Sequence, residues 1–470
     1  MVFEILYFLI LASALVLVVM ETRRPGIAIF WVMVLTLLPV VGLILYIIFG
    51  KDHRSSRVIK ADEMRHLSIL RDQANAQQIL DKPDNDKYTK LVNMMRGAND
   101  APLFASNDVR IFTDFTPMFQ SMLDDIEAAT SYVHIQFYKI EDDEVGRQLS
   151  QLLIRKAHEG LDVRLMFDSF ANIFVRGSYY DDMRRGGVRV QSFLKVIPSM
   201  MTRDVNCRTH RKIVTIDGHI GYTGGMNIAR RYRDGIKHGI WRDTHIRISG
   251  PAVSQLEVAL LADWRFCTKE LSVEPKFFPM PSIDTNHPTP VQIVTSGPMD
   301  EWNTVMQGMV QAIAQSRRYL YIQTPYFIPT EPILLALRNA AIAGVDVRIM
   351  LPNSTDRGAV MLYASESYFK EIMRAGIKVY LYHKGYMHAK TMVSDDDFVT
   401  IGSTNIDSRS MEQNFEVNAF IYDSQVAIRQ RDIFFDDMND CTFVDPDQWA
   451  KRPIVGRVLQ SLSRLLTPLL

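Results

Sequence analysis

The chain has 470 residues, with 53 basic and 53 acidic side chains and three cysteines, Cys207, Cys267 and Cys441. That length allows about three domains with sizeable cores. The cancelled charge argues against a nucleic-acid partner, and three scattered cysteines exclude a disulfide framework and a thiolate metal site.

Between residues 2 and 20 only Glu4 is charged; ETRRPG then makes a polar break, and residues 27–49 carry no charge at all. Each run has the length a bilayer core requires. A cleaved signal peptide is the rival reading of the first run, but it lacks a basic n-region and a small-residue cleavage site. Two membrane helices in a hairpin are therefore expected over residues 1–50. Lys51, Arg54, Arg57, Lys60 and Arg65 follow the second run, against Arg23 and Arg24 in the loop. The positive-inside rule then puts the remainder of the chain in the cytoplasm. Residues 51–95 read as a polar juxtamembrane linker, with a modest helical period in HLSILRDQANAQQIL.

From about residue 96 strand-like and helical runs alternate: SYVHIQFY, then EVGRQLSQLLIRKAHEG with its glycine stop, then LDVRLMFD. This alternation predicts an α/β fold. The pattern then recurs. RYLYIQTPYF echoes SYVHIQFY 187 residues on, GVDVRIML echoes GLDVRLMF after 184, and AGIKV echoes GGVRV after 189. A duplicated unit of about 180 residues follows, with a first lobe over 96–280, a second over 281–447, and their join in the proline-rich 274–290. In the tail, 448–470, Val455, Leu459, Leu462, Leu466 and Leu469 recur at helical spacing beside Arg457 and Arg464. This predicts an amphipathic helix lying on a membrane surface.

The duplication carries chemistry. HRKIVTID, beginning at His210, and HAKTMVSD, beginning at His388, repeat a His, a Lys and an Asp at the same offsets. On a strand, period two puts His210 beside Lys212 and His388 beside Lys390. Such a cation beside an imidazole is comfortable only with an anion between them, and a phosphate fits. Lysine meets its non-bridging oxygens, amides and hydroxyls donate to it, and histidine attacks phosphorus or carries protons. IGYTGGMN and VTIGSTN follow the two motifs, offering Asn227, Asn405 and Ser403 as substrate-binding groups. Two half-sites facing each other would supply one nucleophile and one general acid. Carboxylates should orient the imidazoles, Asp243 serving His210 and Glu416 serving His388 within each repeat. Asp217 and Asp395 complete the two motifs and stand with the catalytic set, although their odd spacing from the histidines suits a strand–turn role. No HxH, HExxH or DxD cluster has ligand spacing, and a lysine beside each histidine repels cations, so neither metal nor cofactor is expected. His134, His158, His219, His238, His245, His287 and His383 read as structural or solvated, His53 as juxtamembrane, and Cys207 as a small buried filler.

These motifs resemble the phospholipase D superfamily, whose signature is HxKxxxxD followed by GSxN. The wider resemblance is to bacterial cardiolipin synthases and runs over nearly the whole chain: RRPG and LLPVVGLILYIIFG, FYKIEDDEVGR, NCRTHRKIVTIDG, TGGMN, SGPMDEWN, IQTPYFIPTE, GYMHAKTMVSD, GSTNIDSRS and NFEVN. The resemblance implies two α/β/α-sandwich lobes sharing one active site. It implies metal-independent transphosphatidylation, in which two phosphatidylglycerols give cardiolipin and glycerol through a phosphatidyl-histidine on His210, with His388 as acid and base. It also implies a place in the bacterial cytoplasmic (inner) membrane, which suits a two-tailed substrate that never leaves the bilayer. Gly225 stands where the superfamily signature has serine, as in the cardiolipin synthases, and removes one hydroxyl from the first half-site. A membrane-anchored phospholipase D hydrolase, or an exchange enzyme using another alcohol, is the alternative. A nuclease-like phosphodiesterase is disfavoured by the neutral charge, and a non-catalytic scaffold by the two intact motifs.

Overall fold

The computed structural model describes residues 25–49, 61–195, 207–237, 239–270, 274–279, 287–354 and 358–467, with five positions between 12 and 18. Apart from those positions the first hydrophobic run, with residues 51–60 and His53, lies outside the described residues. The second forms two helices, Pro25–Leu37 and Pro39–Phe49. Proline has no N–H for the helical ladder and crowds the preceding turn, so the expected single span breaks at Leu38. No helix among the described residues is long and apolar enough to cross a membrane. The two helices pack Trp31 edge-on against Tyr46, ring centroids 5.4 Å apart, and leave Ile29, Met33, Leu37 and Val41 exposed.

The first lobe is a sheet built from β1 (Leu103–Phe112), β2 (Tyr132–Phe137), β3 (Asp162–Asp168), β4 (Arg189–Phe193), β5 (Arg208–Thr209), β6 (Ile213–Ile216), β7 (Ile220–Gly224), β8 (Ile240–Arg242) and β9 (His245–Ser249). β2, β3 and β4 are parallel, and β6 runs antiparallel to β2. β7 and β9 then carry the sheet to the second half of β1. The second lobe repeats this with β10 (Thr289–Ser296), β11 (Tyr319–Gln323), β12 (Asp346–Pro352), β13 (Lys378–Tyr382), β14 (Gly385–Met387), β15 (Thr391–Ser394), β16 (Phe398–Gly402) and β17 (Asn414–Ile421). Here β11, β12 and β13 are parallel, β15 opposes β11, and β16 and β17 lead to β10. β10 pairs with the first half of β1, so one strand joins the two sheets.

All residues of β2 and β11 are buried, as strands covered by helices on both faces must be. The helices are Glu144–His158 and Val253–Thr268 in the first lobe, with Glu331–Ile342 and Ser424–Met438 at corresponding places in the second. Between residues 67 and 99 the chain is packed. The Arg71 guanidinium is enclosed beside Asp100, and Leu91, Val92 and Met95 of the helix Thr89–Asn99 belong to the core of the second lobe.

Two short parallel ladders stitch the lobes together. β5 of the first lobe pairs with β17 of the second, Thr209 opposite Phe415. β8 pairs with β14, Arg242 opposite Met387. Everything at the site follows from these two registers.

Candidate active site

The sequence motifs lie where those ladders end. His210 to Lys212 occupy the extended link between β5 and β6, and His388 to Lys390 the link between β14 and β15, rather than strand interiors. The backbone N–H of His210 donates to the Phe415 carbonyl at 2.8 Å, and that of His388 to the Arg242 carbonyl at 2.7 Å. The residue after each of those carbonyls is a carboxylate of the opposite lobe. His210 Nδ1 accordingly lies 3.0 Å from Glu416 Oε1 and 3.1 Å from Oε2. His388 Nδ1 lies 2.5 Å from Asp243 Oδ2. The within-repeat pairing expected from sequence is thus exchanged: Glu416, not Asp243, orients His210, and Asp243, not Glu416, orients His388.

The lysines follow the same exchange. Lys212 Nζ donates to the His210 carbonyl at 2.6 Å, and its charge acts on Glu416. Lys390 Nζ donates to the His388 carbonyl, and its charge acts on Asp243. Lys390 Nζ is also 2.9 Å from His388 Nδ1. With the Nδ1 proton given to Asp243, that nitrogen offers the ammonium no lone pair.

The two carboxylates are fully enclosed yet titrate differently. Burial pushes Glu416 up to about 8 against the charge of Lys212 and the hydroxyl of Ser403. Burial also opposes ionisation of Asp243, but Lys390 and His388, with the Thr244 N–H, hold its carboxyl below the ordinary range. The two half-sites therefore differ, one carboxyl raised by burial and the other held low by its cations, a separation of the kind that sorts acid from base roles.

Ser403 supports Glu416 from within its own lobe: its Oγ donates to Oε2 and accepts the Val417 N–H at 3.0 Å. Gly225 takes the same place beside Asp243, where a Cβ would stand 2.0 Å from Oδ1. A serine therefore cannot fit in the first half-site, which explains the departure from GSxN. The hydroxyl expected to meet substrate holds a carboxylate instead. Asn227 accepts the Lys139 N–H at 3.1 Å and donates one amide hydrogen to Tyr232 Oη at 2.6 Å. Asn405 is buried, and among the described residues its side-chain oxygen has no hydrogen-bond partner, an acceptor that a ligand hydroxyl would satisfy.

Asp217 and Asp395, grouped with the catalytic set from sequence, belong to the scaffold. Asp217 accepts the N–H groups of Thr130, Ser131 and Tyr132 at 2.7 to 2.8 Å. Asp395 accepts those of Arg317, Arg318 and Tyr319 at 2.8 to 3.0 Å. Each sits in the left-handed region, φ 50° and 57°, and pins the start of β2 or β11 to the turn after the motif strand.

A family model for the cardiolipin synthase, phospholipase D-like domain matches residues 122–253 and 309–438, and one for the phospholipase D-nuclease N-terminal region matches 5–51. The major cardiolipin synthase of Bacillus subtilis (strain 168) is 36% identical over 476 residues, covering 99% of this chain and 98% of that one. This chain belongs to the bacterial cardiolipin synthases of the phospholipase D superfamily. Cardiolipin synthase 2 of Bacillus anthracis is similar at 35% identity over 457 residues, covering 96% of this chain and 88% of that one. In fold the chain resembles the crystal structure of phosphatidylserine synthase from Haemophilus influenzae Rd KW20. The TM-score is 0.62 at 15% identity, covering 81% of this chain and 100% of that one.

Several groups at this cardiolipin synthase site escape sequence reasoning. Tyr138 turns its ring edge to His210, centroids 5.0 Å apart, and lies under Lys212. Trp241, Tyr386 and Tyr232 pack round His388 at 5.1, 5.8 and 6.1 Å. Tyr138 and Tyr386 stand in the quoted motifs, but only contacts mark them. Arg211 faces away from its neighbours, bonding Asp263 at 2.7 Å and the Glu416 carbonyl at 3.1 Å, so it locks the cross-lobe ladder. His245, set aside as structural, is buried within reach of the Asp243 and Lys212 charges, and burial pushes it down to about 3. His134 pairs with Glu257 at 2.7 Å deep in the first lobe. His287 and His383 bond Asp423 and Thr442, and His238 lies outside the described residues. Among the described residues no cluster of His, Cys, Asp and Glu could hold a metal ion.

Proposed function

We propose that this protein is a phosphatidyltransferase that makes cardiolipin and glycerol from two phosphatidylglycerols in two displacements at phosphorus. The observation carrying the assignment of roles is the exchanged pair of histidine–carboxyl contacts, one carboxyl raised by burial and the other held low. The Asp243 carboxylate favours His388 as an imidazolium, the form that can give a proton. Burial raises the Glu416 carboxyl to about 8, so it draws a second proton onto His210 less than Asp243 does onto His388, and with Nδ1–H donated to Glu416 the His210 Nε2 keeps a lone pair for phosphorus.

In the first step His210 Nε2 attacks the phosphorus of one phosphatidylglycerol, the bond to the glycerol headgroup breaks, and His388 protonates the departing oxygen. In the second step neutral His388 takes the proton from the terminal hydroxyl of another phosphatidylglycerol. That oxygen attacks phosphorus, the P–N bond breaks, and His210 is restored. Lys212, Lys390, the Asn405 amide hydrogens and the remaining amide hydrogen of Asn227 hold the phosphoryl oxygens through both steps. Transfer outruns hydrolysis where the walls of the site, including Tyr138 and Trp241, keep water from the intermediate. No step needs a metal, because the two ammonium groups neutralise the phosphoryl charge. Residues 1–50 anchor the protein as a hairpin in the bacterial cytoplasmic membrane with the lobes on the cytoplasmic side.

The test is purified protein with labelled phosphatidylglycerol alone, products resolved by mass. Cardiolipin and glycerol in equal amounts, unaffected by EDTA, are expected. Phosphatidic acid as the main product would identify a hydrolase instead.

A further inference from the structure

The tail helix Ile454–Leu465 meets the second lobe with its polar side. Gln460 and Ser463 are its buried residues. Gln460 accepts from Arg452 at 2.8 Å and donates to Glu366 at 2.9 Å. The apolar side chains point away from the protein: Ile454, Val455, Val458, Leu459, Leu462, Leu465 and Leu466 are all exposed. This is the reverse of a helix that covers a core. Beside it runs a groove lined by Arg338, Lys370, Arg374 and Arg464, with the apolar Ile342 and one carboxylate, Glu371. That carboxylate is already shared by Arg338 at 3.1 Å and Arg464 at 3.2 Å, so the groove keeps a positive excess.

A chain of buried contacts links the helix to the catalytic site. The tail helix packs on the helix Ala359–Glu366, whose Ser365 hydroxyl accepts the Phe327 N–H at 2.8 Å. The adjacent Tyr326 hydroxyl is 3.0 Å from that of Tyr386, whose ring packs against His388.

We infer that the outward face of the helix Ile454–Leu465 and the Arg338–Lys370–Arg374–Arg464 groove form a docking surface for an anionic bilayer, separate from the N-terminal anchor. The apolar face enters the boundary between headgroups and acyl chains, and the groove takes headgroup phosphates beside it. Apolar surface flanked by cations fits that interface. The inference rests on the proposed lipid substrate only for its purpose; the surface itself is read from this helix and groove.

The test uses the full chain in nanodiscs of phosphatidylcholine with or without phosphatidylglycerol. A fluorescent amino acid replaces Val458 or Leu462, and the lipids carry bromine in their acyl chains as quenchers. Quenching is expected only in the discs that contain phosphatidylglycerol. Lys370→Ala and Arg374→Ala should each lower the ratio of docked to undocked helix about fivefold, and raised salt should lower it further. Absence of quenching, which would leave a protein partner as the occupant, overturns the inference. Equal quenching in phosphatidylcholine alone overturns the role of the groove. Cardiolipin formation in the same discs separates the two readings. Discs that make cardiolipin without quenching defeat this inference alone, and quenching without cardiolipin defeats the functional reading alone.

Discussion

Replacing Asp243 by asparagine tests the exchanged pairing directly. The change is isosteric, and an asparagine oxygen can keep the bond from the Thr244 N–H, 2.8 Å in length. What is lost is a negative charge in contact with His388 Nδ1 and close to Lys390. Two unit charges about 4 Å apart at an effective dielectric of about 20 interact by about 4 kcal/mol. Loss of that interaction lowers the imidazolium population of His388 about a thousandfold at a fixed pH. Cardiolipin formation should fall by a similar factor at neutral pH. The basic limb of the kcat/KM profile should move to lower pH, because the proton needed by the leaving glycerol is lost earlier. A melting curve would separate this from unfolding, since burying Lys390 without its counter-charge also costs about 3–5 kcal/mol of stability. A loss below tenfold would refute the assignment. So would movement of the acidic limb alone, the outcome expected if Asp243 served the nucleophile His210.

Glu416→Gln should cost less than tenfold at pH 7, because glutamine resembles the protonated carboxyl; the gap should widen above pH 8. The Glu416 carboxyl is raised on folding, so its contribution to stability is complete below its ordinary value of 4.5 and is lost as pH rises toward about 8. The melting temperature of Glu416→Gln should therefore fall less than that of the wild type between pH 5 and pH 8, and a parallel decline would contradict the raised value. Gly225→Ser, which restores the superfamily signature, should inactivate the protein and lower its melting temperature, since the new Cβ meets Asp243 Oδ1 at 2.0 Å; retained activity would show that the carboxylate can retreat. Ser403→Ala should cost about 1–3 kcal/mol by stripping a bond from Glu416 and another from the Val417 N–H, measured by denaturant unfolding. Quenched His388→Ala reactions should trap phosphatidyl label on His210, and label found on His388 in the wild type would reverse the two roles.

The sequence by itself carried the duplication, the α/β alternation, the two histidine–lysine pairs and the two carboxylates that attend them. Each is a local pattern: a strand shows as period two, a helix as its apolar stripe and glycine stop, and a duplicated site as the same offsets met twice. Asp217 and Asp395 were placed in the catalytic set by their motifs, and only the fold shows them in left-handed turns accepting the N–H groups that open β2 and β11. Which carboxylate serves which histidine was not legible. A duplicated chain has symmetric spacings, so pairing within a repeat and pairing across repeats look alike in one dimension. Only the registers that set Thr209 opposite Phe415 and Arg242 opposite Met387 decide for the cross-lobe arrangement. The tail helix, expected on a membrane surface, also keeps a contact with the second lobe that one dimension does not show. Its periodicity announces an amphipathic helix but not which side the enzyme takes, and that choice was made by Gln460 finding Arg452 and Glu366. The opposite shifts of Glu416 and Asp243 came last of all, because burial and the position of each lysine exist only once the two lobes have closed on each other.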